Sequence, residues 1–161
     1  MKRAILLMNM GGPNNLDEVE VFLNNMFNDK RIISAPKPLR MLIAKLITWK
    51  RKGEAKSNYA SLGGRSPLVD YTKKLISKLE TGIDATVHMA MRYTPPYSSD
   101  TLQELKDIDE IYAIPLYPHY SSTTTLSSIE DLEESIRKKG IKAKVKILES
   151  YYQHPDYIAA T

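Results

Sequence analysis

Between Tyr117 and Ser128, nine hydroxyl-bearing residues and one histidine take ten of twelve consecutive positions, Tyr-Pro-His-Tyr-Ser-Ser-Thr-Thr-Thr-Leu-Ser-Ser. Short donors and acceptors at this density suit a polar or anionic small molecule, and His119 with its flanking tyrosines favours a site there, Ser121 included. The plainer alternative is a Ser/Thr-rich turn that caps the next helix, and the residues alone leave both readings open. A second cluster is basic. Residues 30–56 hold Lys30, Arg31, Lys37, Arg40, Lys45, Lys50, Arg51, Lys52 and Lys56 against one acid, Glu54, a local charge of +8 in a chain whose net charge is +4. Such a patch points to an acidic partner. Nucleic acid fits poorly, because the patch interleaves few aromatics and no reader motif is present.

Other reactive types are sparse. Gly11-Gly12-Pro13 lacks the G-x-G-x-x-G spacing, and Pro13 removes an amide that a phosphate would want, so a structural turn is expected. His88 falls inside a strand pattern and His154 beside a proline. Neither has a partner at metal-ligand spacing, so no metal site is expected within the chain. No Ser-His-Asp arrangement is legible. The chain has no cysteine, which excludes disulfides, thiolate zinc sites and cysteine-ligated iron–sulfur clusters within it. A reducing cytoplasm is compatible with that composition. The first apolar run, Ala4 to Met8, is too short for a signal-peptide core or a membrane span, so a soluble intracellular protein is expected.

The elements that must position these residues alternate. Arg3 to Asn9 reads as a buried strand ended by Gly11-Gly12-Pro13. Asn15 or Asp17 can cap a helix with Val19, Phe22, Leu23 and Met26 on one face. Pro36-Lys37-Pro38 opens a second helix whose stripe is Leu39, Leu42, Ile43, Leu46 and Ile47, widened by Met41 and Trp49. That amphipathic, basic helix suits an anionic membrane surface or the wall of a cleft for a hydrophobic carboxylate. A separate short helix is expected from Gly53 to Leu62, stopped by Gly63-Gly64. Ser66-Pro67 starts a helix to about Glu80. Further strands are expected at Ala85–Met91, Ile111–Leu116 and Ala143–Leu148, with helices at Asp100–Lys106 and Ser128–Lys139. The order predicts an α/β fold, a four-stranded parallel sheet covered by helices on both faces. All four strand exits then lie on one edge, where such sheets bind ligands. His154-Pro155-Asp156 begins one more helix close to Thr161, which reads as a chain cut just after its first domain.

Four blocks in register extend this reading: Met8-Asn-Met-Gly-Gly-Pro13, Tyr59-x-x-Leu-Gly-Gly-x-Ser-Pro67, Met91-Arg-Tyr-x-x-Pro96 and Tyr117-Pro-x-Tyr-Ser-Ser-Thr-Thr-Thr-x-Ser-Ser128. Together they resemble the ferrochelatase family over essentially the whole chain. The resemblance implies the first Rossmann-like domain of a two-domain fold and an activity, insertion of ferrous iron into protoporphyrin IX, that closes protoheme synthesis. Residues 1–161 then correspond to the amino-terminal domain, with residues about 30–56 as a basic helical lip that touches the bilayer in membrane-associated members. The family's metal-inserting histidine and its partner glutamate belong to the second domain and have no match here, His119 included, so the isolated chain is expected to be inactive.

By the same resemblance, Arg51, Tyr59 and Ser66 match positions that meet the porphyrin propionates, where a guanidinium can grip a carboxylate and hydroxyls add hydrogen bonds. Met10 matches a position over the ring face, and Arg92 with Tyr93 a pair lining the inner pocket. Ser122 stands where some members carry an iron–sulfur cysteine, so no cluster and no other cofactor is expected. Iron is a substrate. The remaining alternatives are a non-catalytic tetrapyrrole carrier and a flavodoxin-like phosphate or nucleotide module built on the 117–128 loop.

Overall fold

The computed structural model describes residues 1–161. Four parallel strands, β1 (Arg3–Asn9), β2 (Thr86–Met91), β3 (Glu110–Pro115) and β4 (Lys144–Ile147), stand in the order β2-β1-β3-β4. Leu6 pairs with both His88 and Ala113, and Tyr112 with Lys146. The strand order reverses between β1 and β3, so the loops leaving these two strands diverge and open a crevice at their carboxyl ends. The fold is the parallel α/β arrangement that the alternating pattern predicts.

Six helices connect and cover the sheet: α1 (Glu18–Phe27), α2 (Lys37–Ser61), α3 (Leu68–Glu80), α4 (Ser98–Glu104), α5 (Ser127–Lys139) and α6 (Pro155–Ala160). One face of the sheet, Ala4, Leu6, Met8, Ala90, Ile111 and Ala113, closes a fully buried core with Leu102 and Leu105 after β2 and Leu132 of α5. The opposite face is less completely covered than expected. Over β3 and β4 it keeps Tyr112 and Ile114 half-buried and Lys144 and Lys146 exposed. There Glu110 is held by Lys146 Nζ at 2.7 Å and by the Tyr112 hydroxyl at 2.6 Å, which keep its carboxyl below the usual carboxylate range. A second core lies beyond the strand ends, where Val19, Phe22 and Leu23 of α1 pack with Tyr93 and, at their margin, Met10, Ala55 and Tyr59.

Several expected boundaries move. The chain from Lys37 to Ser61 is one helix of 25 residues, not a lip helix followed by a short one. Gly53 is exposed and meets nothing within 4 Å, so it costs helix stability without ending the helix. Termination waits for Gly63 and Gly64, which adopt φ of +90° and +84°. Helix α4 begins at Ser98, two residues before the expected Asp100, because the Asp100 carboxylate accepts the Tyr97 amide at 3.3 Å and fixes the first turn there. The start of α3 lies one residue later than expected, with Pro67 at the cap position and Leu68 first in the helix, while the Ser66 hydroxyl still accepts the Leu68 amide at 3.3 Å.

Candidate functional site

The turn after β1 is built on two glycines. Gly11 has φ of +82°, and a Cβ there would lie 2.5 Å from Thr94 Oγ1. A Cβ on Gly12 would lie 2.5 Å from Ser66 Oγ, with the Tyr59 hydroxyl at 3.9 Å. The missing side chain thus lets α2, the head of α3 and the β1 exit converge. Ser66 donates its amide to the Pro13 carbonyl at 2.8 Å, and Thr94 Oγ1 both accepts the Gly12 amide at 3.1 Å and donates to the Gly12 carbonyl at 3.0 Å. With that amide engaged and Pro13 lacking one, the turn offers no phosphate cradle.

Between α1 and the second half of α2 runs a groove of about 350 Å³, floored by Phe22, Leu23, Met26, Phe27, Ala55 and Leu62 and edged by Arg51, Glu54, Asn58 and Tyr59. The continuity of α2 puts Arg51, Ala55 and Tyr59 on one face, eight residues or about 12 Å from first to last. Arg51 is exposed and makes no ion pair. The Tyr59 hydroxyl makes no hydrogen bond, and burial raises its pKa, so it stays a proton donor. Ser66 accepts at its hydroxyl and donates from it to nothing in the chain. One free guanidinium and two uncommitted hydroxyl protons therefore edge or adjoin an apolar floor. Met10 flanks the same aromatic cluster, its carbonyl accepting the Tyr93 amide at 3.0 Å.

Arg92 and Tyr93 lie across Phe22 from that groove. The Phe22 ring stands edge-on to Tyr59 at 6.5 Å and to Tyr93 at 6.3 Å. Tyr93 is buried and donates its hydroxyl to Asp29 Oδ2 at 2.9 Å. Arg92 donates Nη2 to the same oxygen at 3.1 Å, Nε to Ser127 Oγ at 2.8 Å and Nη1 to Asp131 Oδ1 at 3.3 Å. Ser127 also donates to Asp29, and Ser98 to Asp131 Oδ2 at 2.7 Å. Burial pushes the Tyr93 phenol up strongly, and the Asp29 charge adds to it. Tyr117, hydrogen-bonded to Ser128 at 3.4 Å, is pushed up to about 12, chiefly by burial.

Asp29 escaped the sequence reading. It falls in a connection with no periodicity, and its role becomes visible only once α1, β2 and α5 are brought together.

The hydroxyl-rich run divides. Ser121 caps a π-helical turn, Ser122–Leu126, accepting the Thr123 amide at 3.3 Å, and this turn leads directly into α5. Thr125 Oγ1 is buried and donates to the His119 carbonyl at 3.4 Å. His119 is exposed and stacks on Tyr152 at 4.7 Å. Thus the contacts of His119 and Ser121 lie in the local turn and at Tyr152, while Ser127 joins the network around Arg92 and Ser128 bonds Tyr117.

The lip turns only part of its apolar stripe outward, with Ile43 and Ile47 half-buried. Leu39, Leu42, Leu46 and Trp49 are 51%, 66%, 63% and 71% exposed, while Ala44 and Thr48 are buried against the domain. No helix is long and apolar enough to cross a membrane, and no group of three or more His, Asp or Glu side chains could hold a metal ion.

The ferrochelatase family model matches residues 2–161. The chain belongs to the ferrochelatase family. It is similar to the ferrochelatase of Sulfurimonas denitrificans, with 50% identity over 161 residues, covering 97% of this chain and 51% of that protein. Against the ferrochelatase of a Nitratiruptor species it is 49% identical, covering 96% of this chain and 52% of the relative. Against that of the Wolbachia of Drosophila simulans it is 40% identical, with 99% and 53% covered. This ferrochelatase-family chain spans about half the length of the curated relatives it matches.

Proposed function

We propose that this chain forms the porphyrin-holding wall of a ferrochelatase, the enzyme that inserts ferrous iron into protoporphyrin IX in heme biosynthesis. The observation that carries the reading is the apolar groove edged by an unpaired Arg51, with the free hydroxyl protons of Tyr59 and Ser66 beside it. A porphyrin has the matching chemistry: a flat apolar body with two carboxylates on one edge. The groove floor takes apolar ring surface, Arg51 a propionate, and Tyr59 and Ser66 add neutral donors that strengthen the grip without another charge. Met10 stands beside the ring face. Iron insertion requires loss of two pyrrole protons, and holding the macrocycle rigidly against this wall allows binding energy at its rim to support distortion at its centre.

The proton-accepting histidine and its glutamate are proposed to come from the region of the relatives that this chain does not match. Iron is the second substrate, and no resident cofactor or iron–sulfur cluster is proposed. We place the protein in the cytoplasm, with peripheral membrane contact through the outward stripe of Leu39, Leu42, Leu46 and Trp49 and the lysines around it. The test is anaerobic mixing of this chain with protoporphyrin IX and ferrous iron, following the Soret and visible bands. Saturable porphyrin binding without metalation above the uncatalysed rate is expected. Turnover would place the proton acceptor within these residues and refute the division of labour.

A further inference from the structure

The Tyr59 hydroxyl has no hydrogen-bond partner within the chain. A phenol without a polar anchor is aimed only by packing on its ring. The aromatic partner of Tyr59 is Phe22, whose ring stands at 6.5 Å between centroids with an interplanar angle of 88°. This is the perpendicular geometry that the charge distribution of two rings favours. The other guide is the space left by Gly12, where a Cβ would lie 2.5 Å from Ser66 Oγ and 3.9 Å from the Tyr59 hydroxyl. The two hydroxyl donors therefore approach the same backbone position from different elements.

Phe22 is itself firmly held. It is 7% exposed and packs in one cluster with Val19, Leu23 and Tyr93. Tyr93, whose ring lies 6.3 Å from that of Phe22 at 71°, is anchored at both ends. Its amide donates to the Met10 carbonyl at 3.0 Å and its hydroxyl to Asp29 at 2.9 Å. One turn beyond Phe22 on the same side of α1, Asn25 donates its side-chain amide to the Tyr93 carbonyl at 3.0 Å and to the Tyr97 hydroxyl at 3.3 Å. These bonds fix the rotation of α1 about its axis, and with it the direction of Phe22.

Resting on the porphyrin reading above, we propose that Phe22 is the positioning residue for Tyr59. It transmits the fixed placement of Tyr93 and α1 to a phenol that has no anchor of its own, and holds the phenolic proton beside Gly12 and Ser66, ready for a ligand carboxylate. Phe22 also floors the groove. Its loss as floor is felt by any porphyrin, whereas its loss as a guide for Tyr59 is felt only by one that carries carboxylates.

The test is fluorescence titration of this chain with protoporphyrin IX and with an octaalkyl porphyrin, which has alkyl groups in place of propionates, both delivered in the same detergent micelles. The ratio of the two affinities isolates the carboxylate grip from floor packing. Tyr59→Phe should lower that ratio about tenfold, the effect of one hydrogen bond to a charged acceptor. Phe22→Leu, which keeps an apolar side chain in the floor, should lower it by about threefold or more. In the Tyr59→Phe background Phe22→Leu should leave the ratio unchanged, because the hydroxyl it aims is gone. Should Phe22→Leu fail to fold by circular dichroism, Asn25→Ala, outside the groove, should lower the ratio in the same direction and lose its effect in the same background. A ratio that Phe22→Leu leaves intact, or a loss that simply adds to that of Tyr59→Phe, overturns the positioning role while leaving the Arg51 groove standing. No saturable binding of either porphyrin by the wild type overturns both.

Discussion

Replacing Asp29 by Ala should be among the most damaging single changes in this domain, although the residue lies in a loop. Its carboxylate accepts from the Arg31 amide at 2.7 Å, the Tyr93 hydroxyl at 2.9 Å, Arg92 at 3.1 Å and the Ser127 hydroxyl. Removal leaves two buried hydroxyls without that acceptor, at about 1–3 kcal/mol for each donor stranded. Arg92 is only partly uncompensated, because it keeps Asp131 and Ser127 and is a quarter exposed. The loss should therefore sit near the lower end of the range for a broken buried ion pair, about 3 kcal/mol. Tyr93→Phe is the contrasting change. It keeps the ring against Phe22 and leaves Asp29 with three donors, so it should cost only about 1–2 kcal/mol. Urea unfolding followed by far-ultraviolet circular dichroism separates the two, since Trp49 is too exposed to report on the core. At roughly 2–4 °C per kcal/mol for a domain of this size, Asp29→Ala should lower the melting temperature by about 6–12 °C. The double variant should fall short of the sum, because the two changes share one hydrogen bond. A loss below about 1 kcal/mol for Asp29→Ala would refute the network as the tie between α1, β2 and α5.

Other outcomes follow from the same structure. Arg31 and Lys30 hold the Glu130 carboxyl down to about 2, so its contribution is full above the unfolded value of 4.5 and is lost as pH falls towards 2; Glu130→Gln should flatten the acid limb of a stability profile between those values. Gly53→Ala should stabilise the chain by about 0.5–1 kcal/mol, as the helix is continuous there and the space is open, whereas Gly12→Ala should destabilise it and weaken porphyrin binding by driving Ser66 from its place; the reverse ranking in thermal melts would overturn the single-helix description. The outward stripe of α2 should carry the chain to anionic vesicles in co-sedimentation, with Trp49 emission shifting to the blue on insertion. Binding abolished by salt without a Trp49 shift would show that charge alone acts, and no binding at low salt would refute the membrane contact.

The features that could be read from the residues are those carried by local chemistry. The β1 pattern, the glycine turn and Ser66-Pro67 are each dictated within a few residues, and the sheet follows from the alternation of strands and helices. Gly53 misled because glycine lowers helix propensity whether or not the helix ends, and only the left-handed conformations of Gly63 and Gly64 settle the stop. The direction of the α2 stripe was undetermined, since periodicity shows that Leu39, Leu42 and Leu46 share a face but not whether that face meets protein. In the hydroxyl run, composition cannot separate Ser121, which caps, from Ser127, which reaches Asp29 from 98 positions away in sequence. Arg51, Tyr59 and Ser66 were found through motif resemblance. The approach of Tyr59 and Ser66 to Gly12, the place of Arg51 at the groove and the pairing of Arg92 with two carboxylates are tertiary facts.

The claim that this chain holds a porphyrin by its carboxylate edge is tested most directly by titrating wild type and Arg51→Ala with protoporphyrin IX and with its dimethyl ester. Arg51 is unpaired and exposed, so its removal should cost the free acid about tenfold in affinity, equivalent to about 1.4 kcal/mol, and leave the ester nearly unchanged. Equal weakening of acid and ester would contradict the account, because it would show that Arg51 contributes packing alone and that the propionates are held elsewhere.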